Sequence, residues 1–199
     1  MLNIIIFGPP GSGKGTQSVK IAEKFNLVHI STGFIIRNEI KSGSELGKLL
    51  KSIVDKGNFV PFKLIIKILD SILIKTKNAN GYIFDGFPRT IEQAHYLDNI
   101  LNKDNGSISL VLCLKVEDEI LINRLLKRAT IEGRKDDNEA VIKNRLQIYK
   151  SETYPLISWY KKQGKYNEIP GNKSINEIFE QVCKLINSKI NDSIDHYDS

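Results

Sequence analysis

The chain has 199 residues, of which 41% are hydrophobic and 26% charged, with a net charge of +6. That length supports one well-buried domain, and the composition is that of an ordinary globular protein. Cys113 and Cys183 are isolated and His29, His95 and His196 share no ligand spacing, which excludes a disulfide framework and a thiolate zinc site. No apolar run reaches membrane-spanning length, and Met1 leads straight into an apolar segment with no room for a signal peptide. A cytoplasmic chain without a membrane partner is therefore expected. The positive charge fits an anionic small substrate and a lysine-rich surface. No basic run interleaved with aromatics points to nucleic acid.

Leu2–Phe7 is a short apolar run of the kind expected for a strand buried on both faces. Gly8-Pro9-Pro10-Gly11-Ser12-Gly13-Lys14-Gly15-Thr16 follows, and then Val19, Ile21, Ala22 and Phe25 recur at helical spacing. Strand, glycine-rich turn and helix together are the context in which such a loop holds phosphate. Its glycines let successive N–H groups turn toward one anion, at the positive end of a helix dipole. Lys14 then reaches the outer phosphates, and the Thr16 hydroxyl serves a phosphate or a metal-bound water.

A second strand is expected at 27–30, with Ser31-Thr32-Gly33 offering capping oxygens to a helix over 34–41. Ser42-Gly43-Ser44 breaks it, a further helix covers 45–55, and Pro61 suits the first position of the next. Tyr82-Ile83-Phe84 is another buried strand, leading directly into Asp85-Gly86-Phe87-Pro88-Arg89-Thr90. A helix, a strand over 107–114, a helix over 117–130 and a short polar excursion over 131–137 come next. A long helix runs from Asn138 toward Lys162, interrupted near Pro155; a last strand covers 165–169, a last helix 175–190, and the tail 191–199 frays. Strands alternating with helices define an α/β fold, a parallel sheet covered on both faces. Ligands of such sheets sit at the carboxyl ends of the strands, where the phosphate loop, Ser31-Thr32-Gly33 and Asp85-Gly86-Phe87 all fall. Asp85, at the end of a buried strand, is placed to organise Mg²⁺ and its waters. Phe87-Pro88 stiffens the turn that aims Arg89.

Taken together, G-P-P-G-S-G-K-G-T, S-T-G-x-x-x-R ending at Arg37, K-G-x-x-V-P ending at Pro61, F-D-G-F-P-R-T with Gln93, and G-R-x-D-D ending at Asp137 resemble an adenylate kinase over nearly the whole chain. The resemblance implies a single P-loop NTPase domain over 1–199, with an AMP-binding helical segment at about 31–60 and a short lid at 128–138. It implies MgATP + AMP ⇌ MgADP + ADP, with ATP, AMP and ADP as partners, Mg²⁺ carried by the nucleotide, and a monomer. Carried over to this sequence, Gly11, Ser12, Gly13, Lys14, Gly15 and Thr16 hold the ATP phosphates. Thr32, Arg37, Asn58, Phe59, Val60, Gly86, Phe87, Pro88, Arg89 and Gln93 form the AMP site. Arg124, Arg128, Arg134 and Arg145 converge on the transferred phosphates, and Lys173 lies near the ATP adenine. Only six of the 29 basic residues are arginine, and all six fall in these motif positions. A planar guanidinium meets two phosphate oxygens at once and never loses its charge. Arginines gathered on an open cleft are expected to add little to folding.

Three readings compete with this one. UMP/CMP kinases tend to carry alanine where Thr32 stands, whereas Thr32 and Gln93 offer hydrogen bonds to an adenine edge. A GTP-dependent switch would need N-K-x-D, which neither Asn102-Lys103-Asp104-Asn105 nor Asn172-Lys173-Ser174-Ile175 completes. An ATP-binding regulator without transfer activity is the third. Two departures from the family pattern stand out: the lid is short and lacks the Cys and His of a structural zinc site, and Phe34 follows S-T-G where aspartate is usual. Phenylalanine cannot order polar groups near the phosphates. Phe34→Asp is expected to raise kcat modestly in a steady-state assay with both substrates saturating; an unchanged or lower kcat removes that role for the position.

Overall fold

Alternate residues of β1 (Leu2–Phe7) serve opposite faces of the sheet, and the sequence supplies large apolar groups at both. Ile5 and Phe7 join one core and Ile4 and Ile6 the other. In the computed structural model, which describes residues 1–134 and 137–195, five parallel strands stand in the order β2-β3-β1-β4-β5. The others are β2 (Val28–Ser31), β3 (Gly81–Asp85), β4 (Leu110–Lys115) and β5 (Tyr166–Pro170).

One face is covered by α1 (Lys14–Phe25) and α9 (Ile175–Asp195), through Ile21, Ile178, Val182 and Ile186. The other is covered by α5 (Ile91–Asn102) and by α8 (Tyr154–Lys162), whose Leu156, Ile157 and Tyr160 pack with Ala94 and Leu97. Helices α2 (Thr32–Ser42), α3 (Glu45–Val54) and α4 (Phe62–Lys75) lie between β2 and β3 in the chain and extend this second core. A small separate core of Leu121, Leu125, Ile142 and Leu146 joins α6 (Asp118–Glu132) to α7 (Glu139–Ile148). Among the described residues no helix is long and apolar enough to cross a membrane.

The chain leaves β1 toward one edge of the sheet and leaves the adjacent β3 toward the other. That reversal opens a crevice at the carboxyl ends of these strands, the place where parallel sheets of this kind bind ligands.

Two elements differ from the sequence expectation, and the interruption expected near Pro155 takes a particular form. The strand expected from Ser107 starts at Leu110; the 107–109 stretch is held to Asn3 by mixed main-chain and side-chain bonds, with the Ser109 N–H donating to the Asn3 carbonyl at 2.8 Å. Asn3 Nδ2 donates to the Ser107 carbonyl at 3.0 Å, and the Asn3 N–H donates to Ser109 Oγ at 3.2 Å. The last helix continues past the expected Ile190 to Asp195; of the tail expected to fray, 196–199, with His196, lies outside the described residues. The interruption near Pro155 is a π-helical turn, Tyr149–Thr153, between α7 and α8. Pro155 has no N–H for the Ser151 carbonyl and its ring would crowd that carbonyl; the wider turn relieves both.

Candidate active site

The phosphate loop sits where β1 ends. Gly13 caps α1 at φ 95°, a left-handed conformation that a side chain would strain, and so turns the first N–H groups of α1 outward. Lys14 folds back over the loop: its Nζ donates to the Gly8 carbonyl at 2.6 Å, the Pro9 carbonyl at 2.9 Å and Ser12 Oγ at 3.5 Å. Burial lowers the Lys14 pKa to about 8, opposed by Asp85 and reinforced by Arg89, Arg145 and Arg128. Ser12 is buried, while Gly15 and Thr16 at the start of α1 are exposed. Gly11 packs against Leu125 of α6 so closely that a Cβ would approach Leu125 Cγ to 2.9 Å.

Asp85 ends β3 beside β1 and faces the start of α1; a Cβ on Gly15 would lie 3.7 Å from its Oδ2. Ser31 Oγ donates to Asp85 Oδ2 at 3.2 Å, and His29 Nε2 lies 3.8 Å from the same oxygen. Burial alone would raise this carboxyl, but His29, Lys14 and Ser31 together hold it below the ordinary carboxylate value. Asp85 is therefore anionic at neutral pH. Ser31 also accepts from the Phe34 N–H at 3.4 Å as the cap of α2, so one residue ties β2, α2 and Asp85 together. Phe34 itself is 58% exposed.

Next to the loop a cavity of about 140 Å³ opens between α2, the 57–60 turn and the 86–93 segment. Lys14, Thr32, Arg37, Asn58, Phe59, Val60, Gly86, Phe87, Pro88, Arg89, Gln93 and Arg145 all line it. Gly86 must be glycine here, since its φ is +81° and a Cβ would meet Thr32 Oγ1 at 2.8 Å. Thr32 Oγ1 donates to the Gly86 carbonyl at 2.9 Å, and Arg89 Nε to the same oxygen at 2.8 Å. Gln93 Oε1 accepts from the Arg89 N–H at 2.7 Å. The Arg89 guanidinium stacks 4.8 Å from the Phe59 ring centroid. Burial and the neighbouring Arg145 pull its pKa down to about 10, with Asp85 opposing and Arg37 adding, so it stays charged at neutral pH.

Arg128 and Arg145 are joined by one carboxylate. Asp137, 1% exposed, accepts from Arg128 Nε at 2.6 Å, Arg128 Nη2 at 2.9 Å and Arg145 Nη1 at 3.0 Å. This changes the expectation that the arginines add little to folding: removing Arg128 or Arg145 would weaken the pairing of a buried charge. Arg89, whose Nε donates to main chain, keeps that expectation.

Other residues are not brought to this cluster. Arg134 Nε donates to Glu132 Oε2 at 2.6 Å, at the adjoining end of α6. Arg124 Nη1 donates to the Gly171 carbonyl at 3.1 Å, and Lys173 is exposed on the turn that follows. Of the segment expected to form the lid, Lys135 and Asp136 lie outside the described residues. Residues that sequence reasoning passed over also line the cavity: Phe7, Ile36, Val54, Ile65, Tyr149 and Thr153. Tyr149 and Thr153 follow Arg145 at successive spacings of four, and that stripe was their one signal in the sequence.

A phosphate loop beside a cavity lined by guanidiniums defines a nucleotide-handling protein of the P-loop class. The adenylate kinase family model matches residues 6–165. An adenylate kinase of Phocaeicola vulgatus is 53% identical over 186 residues, 94% of this chain and 98% of that one. One from Bacteroides thetaiotaomicron is 50% identical over 186 residues, with the same coverage of both chains. One from a Synechococcus species is 42% identical over 187 residues, 94% of this chain and 100% of its own. The chain belongs to the adenylate kinase family.

The low Lys14 pKa gives a test of where phosphate binds. A phosphate beside Lys14 favours the charged form and raises its pKa above about 8. ATP binding near about pH 8.5 should then take up a proton, read by calorimetry in buffers of different ionisation enthalpy. The uptake should be absent in Lys14→Met. Buffer-independent heats in the wild type would show that phosphate does not meet Lys14.

Proposed function

We propose that the chain transfers the γ-phosphoryl group of MgATP to AMP, giving two ADP, and so maintains the adenine nucleotide balance of the cytoplasm as a monomer. The observation that carries this reading is the cavity beside the phosphate loop, lined by Lys14, Arg37, Arg89 and Arg145 together with Thr32 and Gln93. Such a cavity suits an acceptor with one anionic end and one base.

In this reading Gly11 to Thr16 wrap the ATP phosphates, with main-chain N–H groups and Lys14 as donors. Asp85 suits the waters of a nucleotide-borne Mg²⁺, since a hard anionic oxygen flanked by the Ser31 hydroxyl matches that ion's oxygen preference. The metal would supply charge neutralisation at the phosphates. Arg37, Arg89 and Arg145 orient the AMP phosphate in line with the γ-phosphorus. An AMP phosphate oxygen forms the new P–O bond as the bond to the β–γ bridging oxygen breaks, and the electrons stay on ADP. Fixed guanidiniums match the charge spread over the transferred group and need no reorganisation. Closure of the AMP-binding segment over the acceptor excludes water, and Arg124, Arg128 and Arg134 converge on the transferred phosphates, with Lys173 near the ATP adenine.

The base is read by what Thr32 and Gln93 have left. Thr32 spends its proton on the Gly86 carbonyl and keeps an acceptor; Gln93 spends its carbonyl on the Arg89 N–H and keeps its amide donors. An acceptor beside a donor matches the amino group and ring nitrogen of adenine, and opposes the carbonyl and ring N–H of guanine and uracil. Cytosine shares adenine's pattern and is separated by its smaller size.

Assayed side by side with MgATP, AMP should be the best acceptor, CMP next, and GMP and UMP worst. Thr32→Ala with Gln93→Ala should erode the preference for AMP over GMP by about 1–3 kcal/mol in kcat/KM. No AMP-dependent ADP formation would overturn the function. Specificity surviving both substitutions would place the base elsewhere.

A further inference from the structure

Two kinds of contact hold Arg89 in the acceptor cavity. At the edge of the guanidinium, Nε donates to the Gly86 carbonyl at 2.8 Å, and Gln93 Oε1 fixes the main-chain N–H of the same residue. At its face lies the Phe59 ring, with the guanidinium carbon 4.8 Å from the ring centroid. Arg145 and Arg37 both repel this cation, and Asp85 attracts it without a hydrogen bond.

Arg128 and Arg145 are secured in another way, since Asp137 accepts from Nε and Nη2 of the first and from Nη1 of the second. A carboxylate placed so neutralises a guanidinium and occupies the donors that would meet a phosphate. An aromatic face does neither. Its quadrupole attracts the cation through the plane of the ring, and the N–H groups at the guanidinium edge stay available.

The fold sets where this ring stands. Phe59 is half-buried on the 57–60 turn, beside buried Val60. Gly57 in that turn packs so closely on α7 that a Cβ would meet Arg145 Cγ at 3.0 Å and Val141 Cγ1 at 3.2 Å. Asn144 of α7 adds a hydrogen bond from Nδ2 to the Lys56 carbonyl at 2.6 Å. Withdrawing the ring from Arg89 with its turn would break both contacts.

We propose that Phe59 is the positioning residue of Arg89, holding the guanidinium by its face so that the edge stays free for the phosphate of the acceptor. The inference rests on the reading of this cavity as the AMP site. It gives Phe59 a task that an aliphatic wall residue could not perform.

Steady-state kcat/KM for AMP at saturating MgATP, compared between Phe59→Leu and Phe59→Tyr, tests this. Both variants keep a large side chain on the turn, and only tyrosine keeps a π face. The leucine variant should be about fivefold less efficient than the tyrosine variant, the loss expected for one desolvated cation–π contact. KM for MgATP should be the same in both. Combined with Arg89→Lys, the same pair should differ by less than about twofold, because an ammonium on a flexible stem has no planar fork to orient. Equal efficiency of the leucine and tyrosine variants overturns the inference. So does a raised KM for MgATP in the leucine variant alone, which marks a distorted site. A fivefold difference that persists beside Arg89→Lys overturns it too, since the ring would then act on the nucleotide directly. If the wild type forms no AMP-dependent ADP, the acceptor-site reading fails and takes the inference with it. If it does, and the two Phe59 variants are equal, only the inference fails.

Discussion

The rest of the structure depends on one electrostatic constraint, the concentration of cationic groups at the carboxyl ends of β1 and β3. Lys14 and Arg89 are close enough to Arg145 for each to feel it, and Arg128 and Arg37 add to the field from either side. Like charges gathered this way oppose folding unless something holds them. Two carboxylates do so. Asp85 faces Lys14 and Arg89 from the strand end, and buried Asp137 clamps Arg128 and Arg145 together. The remaining positive potential points into the cleft, where in the proposed reading two polyanionic nucleotides supply the counter-charge.

The scaffold explains why so many cations meet there. Reversal of chain direction at adjacent strands makes the crevice, and strands buried on both faces fix its floor. Glycines allow the close approaches: Gly13 turns the loop into α1, and Gly86 lets Thr32 and Arg89 share one carbonyl. Neutral groups such as Ser31 and Gln93 then lock the charged ones in place. In the proposed reading these neutral bonds also dictate which donors and acceptors remain for a base, so specificity would follow from how the cations are positioned.

Much of this was legible in the sequence because it is written locally. Strand, glycine turn and helix are adjacent in the chain, and so are Asp85, Gly86 and Arg89. The cavity gathers Thr32, Arg37, Asn58 and Gln93 from motifs that keep their order along the chain. What stayed hidden depends on distant or conditional geometry. Ser107–Ser109 has strand-like composition, but a buried Asn3 over a hundred residues away takes its hydrogen bonds. The role of Asp137 as a clamp requires two arginines from two helices. Thr153 was missed because it lies in a π turn, and helical periodicity assumes a constant 3.6 residues per turn. Pro155 marked the interruption without revealing how the helix would absorb it.

The central claim is that guanidinium geometry in this cleft, not merely positive charge, stabilises the transferred phosphoryl group. Arg89 tests it most directly, since its Nε donates to main chain and its removal strands no buried carboxylate. The decisive measurement is kcat/KM for AMP in Arg89→Lys, alongside the melting temperature of the free protein. The account predicts a fall of at least about 10-fold, or about 1.4 kcal/mol of transition-state stabilisation, with the melting temperature little changed. A lysine variant within about twofold of wild type would contradict it, because a point charge would then do all that the planar fork does.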